Sequence, residues 1–300
     1  MNGSLALHRS LLYVGRHDKT ARVRVYDLDG HERVEGFAFR DEGVGRSEVR
    51  GLAVDDDRRV WVADGAASRV RCFSIFGREE EALGVGGAAE VEVPGREVDR
   101  AGWLGSPSAV AVAGDGDGAR LLVGCAGERR HGVQIFDVPG GYIGSPRSAG
   151  DPRGRFRDVS SIDYRPRDGG RPEWLVVAER RGERVQVFRD GEFHFAFSIP
   201  LRAGARFEPV AVATLEDRRM VVAIGGAEGG LFLVDPAGRP LRRLAESGEA
   251  EGQVSFAGDV VVDEGDVDRS TRVALIDQDG ERVQIFTLEG RCYGAFGARA

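Results

Sequence analysis

A five-residue segment, Val133–Asp137 (VQIFD), recurs along the chain and restricts the folds that the chain can adopt. Close copies stand at 185–188 (VQVF) and 283–286 (VQIF), and looser copies at 23–27 (VRVYD), 70–73 (VRCF) and 231–235 (LFLVD). The fourth residues of the six copies are 47, 63, 52, 46 and 52 positions apart. Repeats of about 40 to 50 residues are typical of units made of four β-strands. We therefore expect six similar structural units.

The segments that flank each copy repeat as well. Two apolar runs, which we call strands a and b, precede each copy, and the copy itself is strand c. A turn that contains glycine follows, and then a fourth segment, strand d, which carries aromatic residues such as Phe37, Phe195 and Tyr293. Glycine supplies the positive φ angle that hairpin turns require. Each unit is thus predicted to be an antiparallel meander in the order a, b, c, d.

The apolar pattern predicts how the meanders pack. Strands a and b are continuous apolar runs, which indicates strands buried on both faces, whereas strand c alternates, with Gln134 between Val133 and Ile135, and should be partly solvent-exposed. Six meanders packed around an axis bury their apolar faces. We predict an all-β fold, a six-bladed β-propeller of four-stranded antiparallel blades, as one domain over 1–300. The predicted blades are about 4–39, 49–86, 107–144, 159–199, 208–246 and 258–297.

The ends of the chain and its composition add further expectations. The first unit begins with strand a and the last ends with strand d, so the ring should close by packing between the first and last blades. The composition, 41% hydrophobic and 30% charged, is typical of a soluble globular protein. The formal net charge of −7 argues against a general binder of nucleic acids or anionic membranes. No secretion signal is recognisable and the three cysteines are scattered, so we expect a cytoplasmic protein without disulfides or cofactors.

The repeat resembles that of the NHL-repeat propellers. The resemblance is clearest in 51–73 (GLAVDDDRRVWVADGAASRVRCF) and 274–286 (ALIDQDGERVQIF), and it extends over almost the whole chain. It implies a six-bladed propeller. The family takes its name from an Asn-His-Leu stretch, but the only asparagine here is Asn2. Ligand chemistry that depends on asparagine elsewhere in the family therefore does not transfer.

One face of the predicted propeller is richer in long loops. The b–c loops and the d–a connections share this face, which we call the loop-bearing face, while the a–b and c–d turns share the opposite face. Around blades 3 and 4, nine arginines stand against five acidic residues in these loops. The candidate ligand-binding residues are Arg129, Arg130, His131, Arg147, Arg153, Arg155, Arg157, Arg180 and Arg181, which we call the arginine-rich sector, together with Trp103 in the connection before Ser108.

Two interpretations of this sector stay open. Guanidinium groups could bind a small anion, an acidic peptide or single-stranded RNA, and RNA is the weakest of these because Phe156 is the only aromatic residue available for base stacking. Alternatively, the arginines pair with neighbouring acidic residues on a solvated surface. Similarly, the arginine before strand c should pair with the acidic residue that ends strand b, as in Arg69 with Asp64 and Arg282 with Asp277.

The function predicted from the sequence is a non-enzymatic binding scaffold for a protein, a peptide or a small anionic ligand. No catalytic motif is recognisable, and no metal ligand set has the usual spacing. The alternative is a metal-dependent hydrolase or lyase, similar to the lactonase propellers, with its site in the central channel. Its candidate metal ligands are Asp163, Asp259, His17 and His131.

Overall fold

The fold was analysed in a computed structural model. The structure describes residues 3–17, 20–80, 85–86, 101–114, 118–138, 140–150, 154–168, 170–171, 173–202, 204–277 and 281–297. Arg153 of the arginine-rich sector lies outside these residues. The described part of the chain consists of strands, turns and loops, and none of its elements is a helix long enough to cross a membrane.

Six antiparallel sheets follow one another along the chain and form the six predicted blades. Their strands are as follows: β1 (Gly3–His8), β2 (Leu11–His17), β3 (Ala21–Tyr26) and β4 (Glu32–Phe39) in blade 1; β5 (Val49–Val54), β6 (Val60–Asp64), β7 (Arg69–Phe73) and β8 (Val85–Gly86) in blade 2; β9 (Pro107–Ala113), β10 (Arg120–Cys125), β12 (Val133–Asp137) and β13 (Tyr142–Gly144) in blade 3; β15 (Val159–Arg165), β16 (Trp174–Glu179), β17 (Arg184–Arg189) and β18 (Glu192–Phe197) in blade 4; β19 (Pro209–Thr214), β20 (Met220–Ile224), β21 (Gly230–Val234), β22 (Pro240–Ser247) and β23 (Gln253–Val254) in blade 5; β24 (Asp259–Asp263), β25 (Arg272–Asp277), β26 (Arg282–Thr287) and β27 (Cys292–Gly297) in blade 6.

Two small additions depart from the four-stranded repeat. In blade 5, β23 pairs in parallel with β22 and adds a fifth strand. Between blades 3 and 4, β11 (Glu128–Arg129) pairs with β14 (Phe156–Arg157) in a separate two-stranded sheet. Both additions lie on the loop-bearing face, because they involve a b–c loop or a d–a connection. This face therefore has more regular structure than its loop lengths suggested.

The innermost strands, β1, β5, β9, β15, β19 and β24, surround a central channel with a volume of about 260 Å³. Residues of these strands such as Asp163, Tyr164 and Val261 are partly exposed to it. The prediction that strand a is buried on both faces is therefore wrong where the strand lines the channel. The prediction is confirmed for strand b, since every residue of β6 and β16 is buried.

The ring closes by side-chain packing between blades 1 and 6. Leu12 and Tyr26 of blade 1 belong to the same apolar cluster as Ile276, Ile285 and Phe296 of blade 6. The ring centroids of Tyr26 and Phe296 are 5.3 Å apart. Each of these blades forms its sheet from its own strands. The predicted closure by packing, without exchange of a terminal strand, is confirmed.

The contact that closes the ring can be tested by a double-mutant cycle on Tyr26→Leu and Phe296→Leu. Leucine keeps much of the buried volume but removes the aromatic pair, and such pairs contribute about 0.5–1.5 kcal/mol beyond area burial. We expect a coupling of that size between the two substitutions in the free energy of unfolding, measured with denaturant. The tilted pair Phe37 and Phe39, within blade 1, provides a comparison that does not cross the closure. Additive effects of Tyr26→Leu and Phe296→Leu would contradict this role.

Candidate functional site

The loop-bearing face is held in place by buried glutamines of strand c. Gln134 donates from Nε2 to the carbonyl of Trp103 at 2.7 Å and accepts at Oε1 from the Gly102 N–H, also at 2.7 Å. Gln186 and Gln284 bind the connections next to them in the same way. Their partners are the Ala149 N–H and Ser148 Oγ at 2.9 and 2.8 Å, and the Gly252 N–H and Gln253 carbonyl at 2.8 and 2.7 Å.

The prediction that strand c is partly solvent-exposed is wrong at its glutamines. Gln134, Gln186 and Gln284 are completely buried, so the alternation with valine and isoleucine does not mark a wetted face. Each carboxamide instead satisfies backbone groups of a d–a connection that crosses over it, and a buried polar group needs such partners. The repeated Gln at the second position of VQIF could have indicated a buried side chain, because an exposed position tolerates many different polar residues.

Carboxylates at the end of strand b in alternate blades also bind the d–a connections. Asp64, Glu179 and Asp277, in blades 2, 4 and 6, are completely buried. They accept backbone N–H groups of the d–a connection from Glu48 at 3.0 Å, Arg157 at 2.6 Å and Phe256 at 2.8 Å. The sequence predicted Asp64 and Asp277 as arginine partners but did not predict the bonds of these carboxylates to the backbone.

The predicted arginine partners are partly confirmed. Arg282 Nη2 lies 2.6 Å from Asp277 Oδ2, as predicted. The predicted pair of Arg69 and Asp64 is wrong, because Arg69 binds Asp41 at 2.6 Å. Arg71 lies 3.4 Å from Asp64 instead. Arg71 stands where other blades have the strand c glutamine, so its side chain points to the buried end of strand b, while Arg69 points to the connection.

Most of the arginine-rich sector is brought together by the structure, and much of it is paired internally. Arg155 and Arg157 lie 3.5 and 3.6 Å from the two carboxylate oxygens of Glu128. Arg180 and Arg181 lie 3.9 and 3.8 Å from Asp158 Oδ2. These distances are longer than charge-assisted hydrogen bonds, so the pairs neutralise charge without the short, directional contacts of such bonds.

The remaining predicted residues of the loop-bearing face differ in their exposure. Arg129 is only 5% exposed, and its Nε donates to the Ala126 carbonyl at 2.8 Å, so it supports the fold. His131 Nδ1 lies 3.3 Å from Ser145 Oγ. Arg130 and Arg147 are exposed, and 81% of the Arg181 side chain is exposed. Trp103, which is partly buried, adjoins this surface. Among the described residues of the sector, Arg130, Arg147, Arg157 and Arg181 are exposed.

The two channel aspartates join neighbouring inner strands. Asp163 of blade 4 accepts the Thr214 N–H of blade 5 at 2.8 Å. Asp259 of blade 6 accepts Ser4 Oγ at 2.6 Å and the Leu5 N–H at 2.9 Å, both from blade 1. The pKa of Asp259 is raised to about 6, mainly by burial and to a smaller extent by the negative charge of Asp163, against the lowering effect of these bonds.

The histidines proposed as further channel ligands have their own partners. His17 Nδ1 lies 3.0 Å from the Val49 carbonyl, and burial lowers the pKa of His17. Among the described residues, one group of His, Cys, Asp and Glu has ligand atoms close enough to share a metal ion, and it consists of Asp27, Asp29 and His31. It contains none of the four predicted ligands. Its Asp27 already binds Arg33 Nε at 2.7 Å.

The same arrangement at Asp235 shows that the group around Asp27 is a turn. Asp235 accepts the Ala237 and Arg239 N–H groups and binds Arg239 Nε at 2.7 Å. Asp27 accepts the equivalent N–H groups of its own c–d turn. Two turns with the same carboxylate, backbone and arginine bonds have a common structural explanation, and the one at Asp235 contains no histidine.

Comparison with known proteins identifies related sequences and folds. The NHL repeat family matches residues 47–73, which comprise strands β5 to β7 of blade 2. No curated protein matches the chain. A chain in the crystal structure of a nidogen/laminin complex has a TM-score of 0.61 at 15% identity, over 96% of this chain and 92% of that chain. A protein of unknown function from Bacteroides caccae has a TM-score of 0.60 at 14% identity, over 96% and 93%. Such low identities show a shared fold alone.

Replacement of Gln186 by leucine tests whether the glutamines hold the connections. The change leaves the Ala149 N–H without its acceptor, and a lost buried partner costs about 1–3 kcal/mol. We expect unfolding to require less denaturant and the Ala149 amide to exchange its hydrogen faster. The Gly102 amide, which is held by Gln134, should keep its exchange rate and serves as the internal control. Unchanged exchange at Ala149 would show that the connection is held by other contacts.

Asp259→Asn tests the buried carboxylate at the junction of blades 6 and 1. Because the folded-state pKa of about 6 is above the ordinary value of 3.8, folding binds a proton, and the wild type loses stability as the pH rises through that interval. Asparagine does not titrate. We expect the stability of Asp259→Asn relative to wild type to increase between pH 4 and 7, by at most about 3 kcal/mol. A difference that is independent of pH, in denaturant titrations at each pH, would rule out this assignment.

Proposed function

Because the protein is a six-bladed β-propeller with an NHL repeat in its second blade, we propose that it is a non-enzymatic binding scaffold whose loop-bearing face recognises a protein or peptide partner. The observation that carries the proposal is the fixation of the d–a connections by buried glutamines and carboxylates. A surface whose backbone is already ordered loses little conformational entropy on binding, and this favours recognition. The family resemblance and the protein–protein complex named for one structural neighbour are consistent with such a role.

The chemistry of the partner follows from the arginine-rich sector. Arg130, Arg147 and Arg181 are exposed there, and Arg155 and Arg157 are within reach of the same surface. Carboxylates are the natural partners of guanidinium groups, which bind them through two parallel hydrogen bonds. We infer that the partner segment is acidic. A small free anion and single-stranded RNA also carry matching charge. A competition experiment distinguishes them from an acidic peptide.

The channel alternative receives less support from the geometry. Asp163 and Asp259 each accept a backbone N–H group of the adjacent blade. Their carboxylate oxygens therefore already contribute to the packing of the blades. His131 bonds with Ser145 in the loops rather than lining the channel. A catalytic metal needs several convergent ligands and an open coordination position. We therefore give preference to the scaffold.

The proposed function is tested with a fluorescent acidic peptide, alternating glutamate and tyrosine, in an anisotropy titration at about 0.15 M salt, where exposed charges are screened beyond about 8 Å. The variant Arg147→Glu with Arg181→Glu should weaken binding at least tenfold, because two attractive contacts become repulsive. The control is Arg239→Glu, an equally exposed arginine on the opposite face, which should bind like the wild type.

The possible results distinguish an acidic peptide from the other candidate ligands and from a channel enzyme. Absence of peptide binding to the wild type, or equal affinity in all variants, would contradict recognition of an acidic segment by the sector. Preferential binding of inorganic phosphate or a uridine oligonucleotide in competition would replace the peptide by that anion. A stoichiometric divalent ion, found by elemental analysis of protein never exposed to chelators, would instead favour the channel enzyme.

A further inference from the structure

Blades 2 and 4 have the same register in their first two strands, so their residues can be compared position by position. Asp64 pairs with Val49 and Glu179 pairs with Val159, and both sheets then shift register at the same point. Counting along the strands places Arg165 where blade 2 has Asp55, and Trp174 where blade 2 has Arg59. The end of the inner strand therefore carries a carboxylate in blade 2 and a guanidinium in blade 4.

Blade 2 shows how this chain satisfies a tryptophan next to an arginine. Asp55 Oδ2 accepts from both Trp61 Nε1 at 2.9 Å and Arg59 Nε at 2.7 Å. The Arg59 guanidinium lies 5.9 Å from the centroid of the Trp61 ring. Asp55 is itself only 3% exposed. A single buried carboxylate oxygen thus serves the indole N–H and the guanidinium together.

Trp174 of blade 4 also lies next to an arginine, which comes from blade 5, but the carboxylate is missing. Trp174 is 6% exposed, and its indole N–H has no hydrogen-bond partner among the described residues. The guanidinium of Arg218, from the a–b turn of blade 5, lies 5.5 Å from the ring centroid. The place of Asp55 is taken by Arg165, which cannot accept a hydrogen bond. An unsatisfied buried N–H calls for an explanation such as a bound water or ion.

Two further buried polar groups in this region, one from Thr214 and one from Arg165, have no hydrogen-bond partner among the described residues. Thr214 is 1% exposed, and its hydroxyl has no partner in the described part of the chain. Arg165 donates from Nη2 to the Thr214 carbonyl, while the Arg165 Nε, also buried, makes no hydrogen bond to a described residue. Thr214 ends β19 and Trp174 begins β16, so both lie where the a–b turns of blades 4 and 5 meet. We call Arg165, Trp174, Thr214 and Arg218 the blade 4–5 slot.

The charges around the slot are mixed, and the positive ones dominate at Arg218. Burial lowers the pKa of Arg218, and the positive charges of Arg165 and Arg171 lower it further, with only partial compensation by Asp163. Two of the neighbouring carboxylates lie too far from these arginines for hydrogen bonds. Asp163 lies 4.0 Å from Arg165 Nε, and Glu216 lies 4.0 Å from Arg171 Nη1. Glu264 is closer, at 3.3 Å from Arg165 Nη2, but both of its oxygens also accept the Glu216 N–H.

We propose that the blade 4–5 slot binds an oxyanion from outside the chain, a carboxylate or a phosphate group, in the role that Asp55 has in blade 2. The anion accepts from the Trp174 indole N–H and from the guanidinium groups of Arg165 and Arg218. The Arg218 side chain is partly exposed and covers the ring, so its displacement admits the ligand. This site lies on the face opposite the loop-bearing face and is independent of the function proposed above.

The test is a thermal unfolding titration with sodium phosphate or sodium acetate against sodium chloride at equal ionic strength. A ligand that binds only the folded state raises Tm, and we expect a saturable rise of about 2–4 °C at about tenfold excess over Kd. The rise should be lost in Arg218→Ala and strongly reduced in Trp174→Phe, which keeps the ring packing and removes the N–H. Arg239→Ala, an exposed arginine on the same face of blade 5, should respond like the wild type.

A substitution that supplies the missing carboxylate makes the test more stringent. Arg165→Asp places a carboxylate at the position of Asp55 in blade 2, so its Tm should no longer respond to oxyanions. A response to phosphate alone, or to acetate alone, would assign the site to that chemistry. The proposal is overturned if wild-type Tm rises no more with oxyanions than with chloride, or if Arg218→Ala and Trp174→Phe respond as fully as Arg239→Ala.

Discussion

The packing of each blade against the next is the interaction on which the rest of this structure depends. A four-stranded meander buries neither of its faces by itself, so every blade needs two neighbours, and the series can end only by closing into a ring. The apolar clusters accordingly lie between blades, as in the contact of Trp61 of blade 2 with Val110 and Leu121 of blade 3. Closure between blades 6 and 1 uses the same kind of contact, through Tyr26 and Phe296. The channel results from this geometry, because the inner strands meet around the axis.

A second, polar layer lies between this apolar framework and the loop-bearing face. The strand c glutamines and the strand b carboxylates are buried, yet they bind loop backbone rather than ligand. Because an unsatisfied buried amide or carboxylate is costly, these side chains fix the course of the connections as firmly as the apolar contacts fix the blades. Residues exposed on those connections, such as Arg147, are thereby presented on an ordered surface. Recognition and stability use different atoms of the same loops.

The ion pairs of the arginine-rich sector differ in distance from the pair that joins the a–b turns of blades 5 and 6. On the loop-bearing face, Glu128 and Asp158 each lie near two arginines at distances close to 4 Å, which gives a surface of mixed sign with exchangeable pairs. On the opposite face, short bonds between Arg219 and Asp268, at 2.7 and 2.8 Å, join the a–b turns of blades 5 and 6. In the blade 4–5 slot, Arg165 stands where blade 2 has a carboxylate, and the Trp174 indole N–H has no partner among the described residues.

The sequence by itself determined the number of blades, the order of their strands and the closure of the ring, because these follow from repeated apolar and turn positions, which are local properties of the chain. It also indicated the pair Arg282 and Asp277, which are close in sequence. Only the tertiary structure decided that Gln134 is buried, that Arg69 binds Asp41, and that the channel aspartates join blades. Each of these depends on a residue of a distant segment, and no local pattern states which segments meet. The slot likewise depends on the tertiary structure, because Trp174, Thr214 and Arg218 come from different strands and turns.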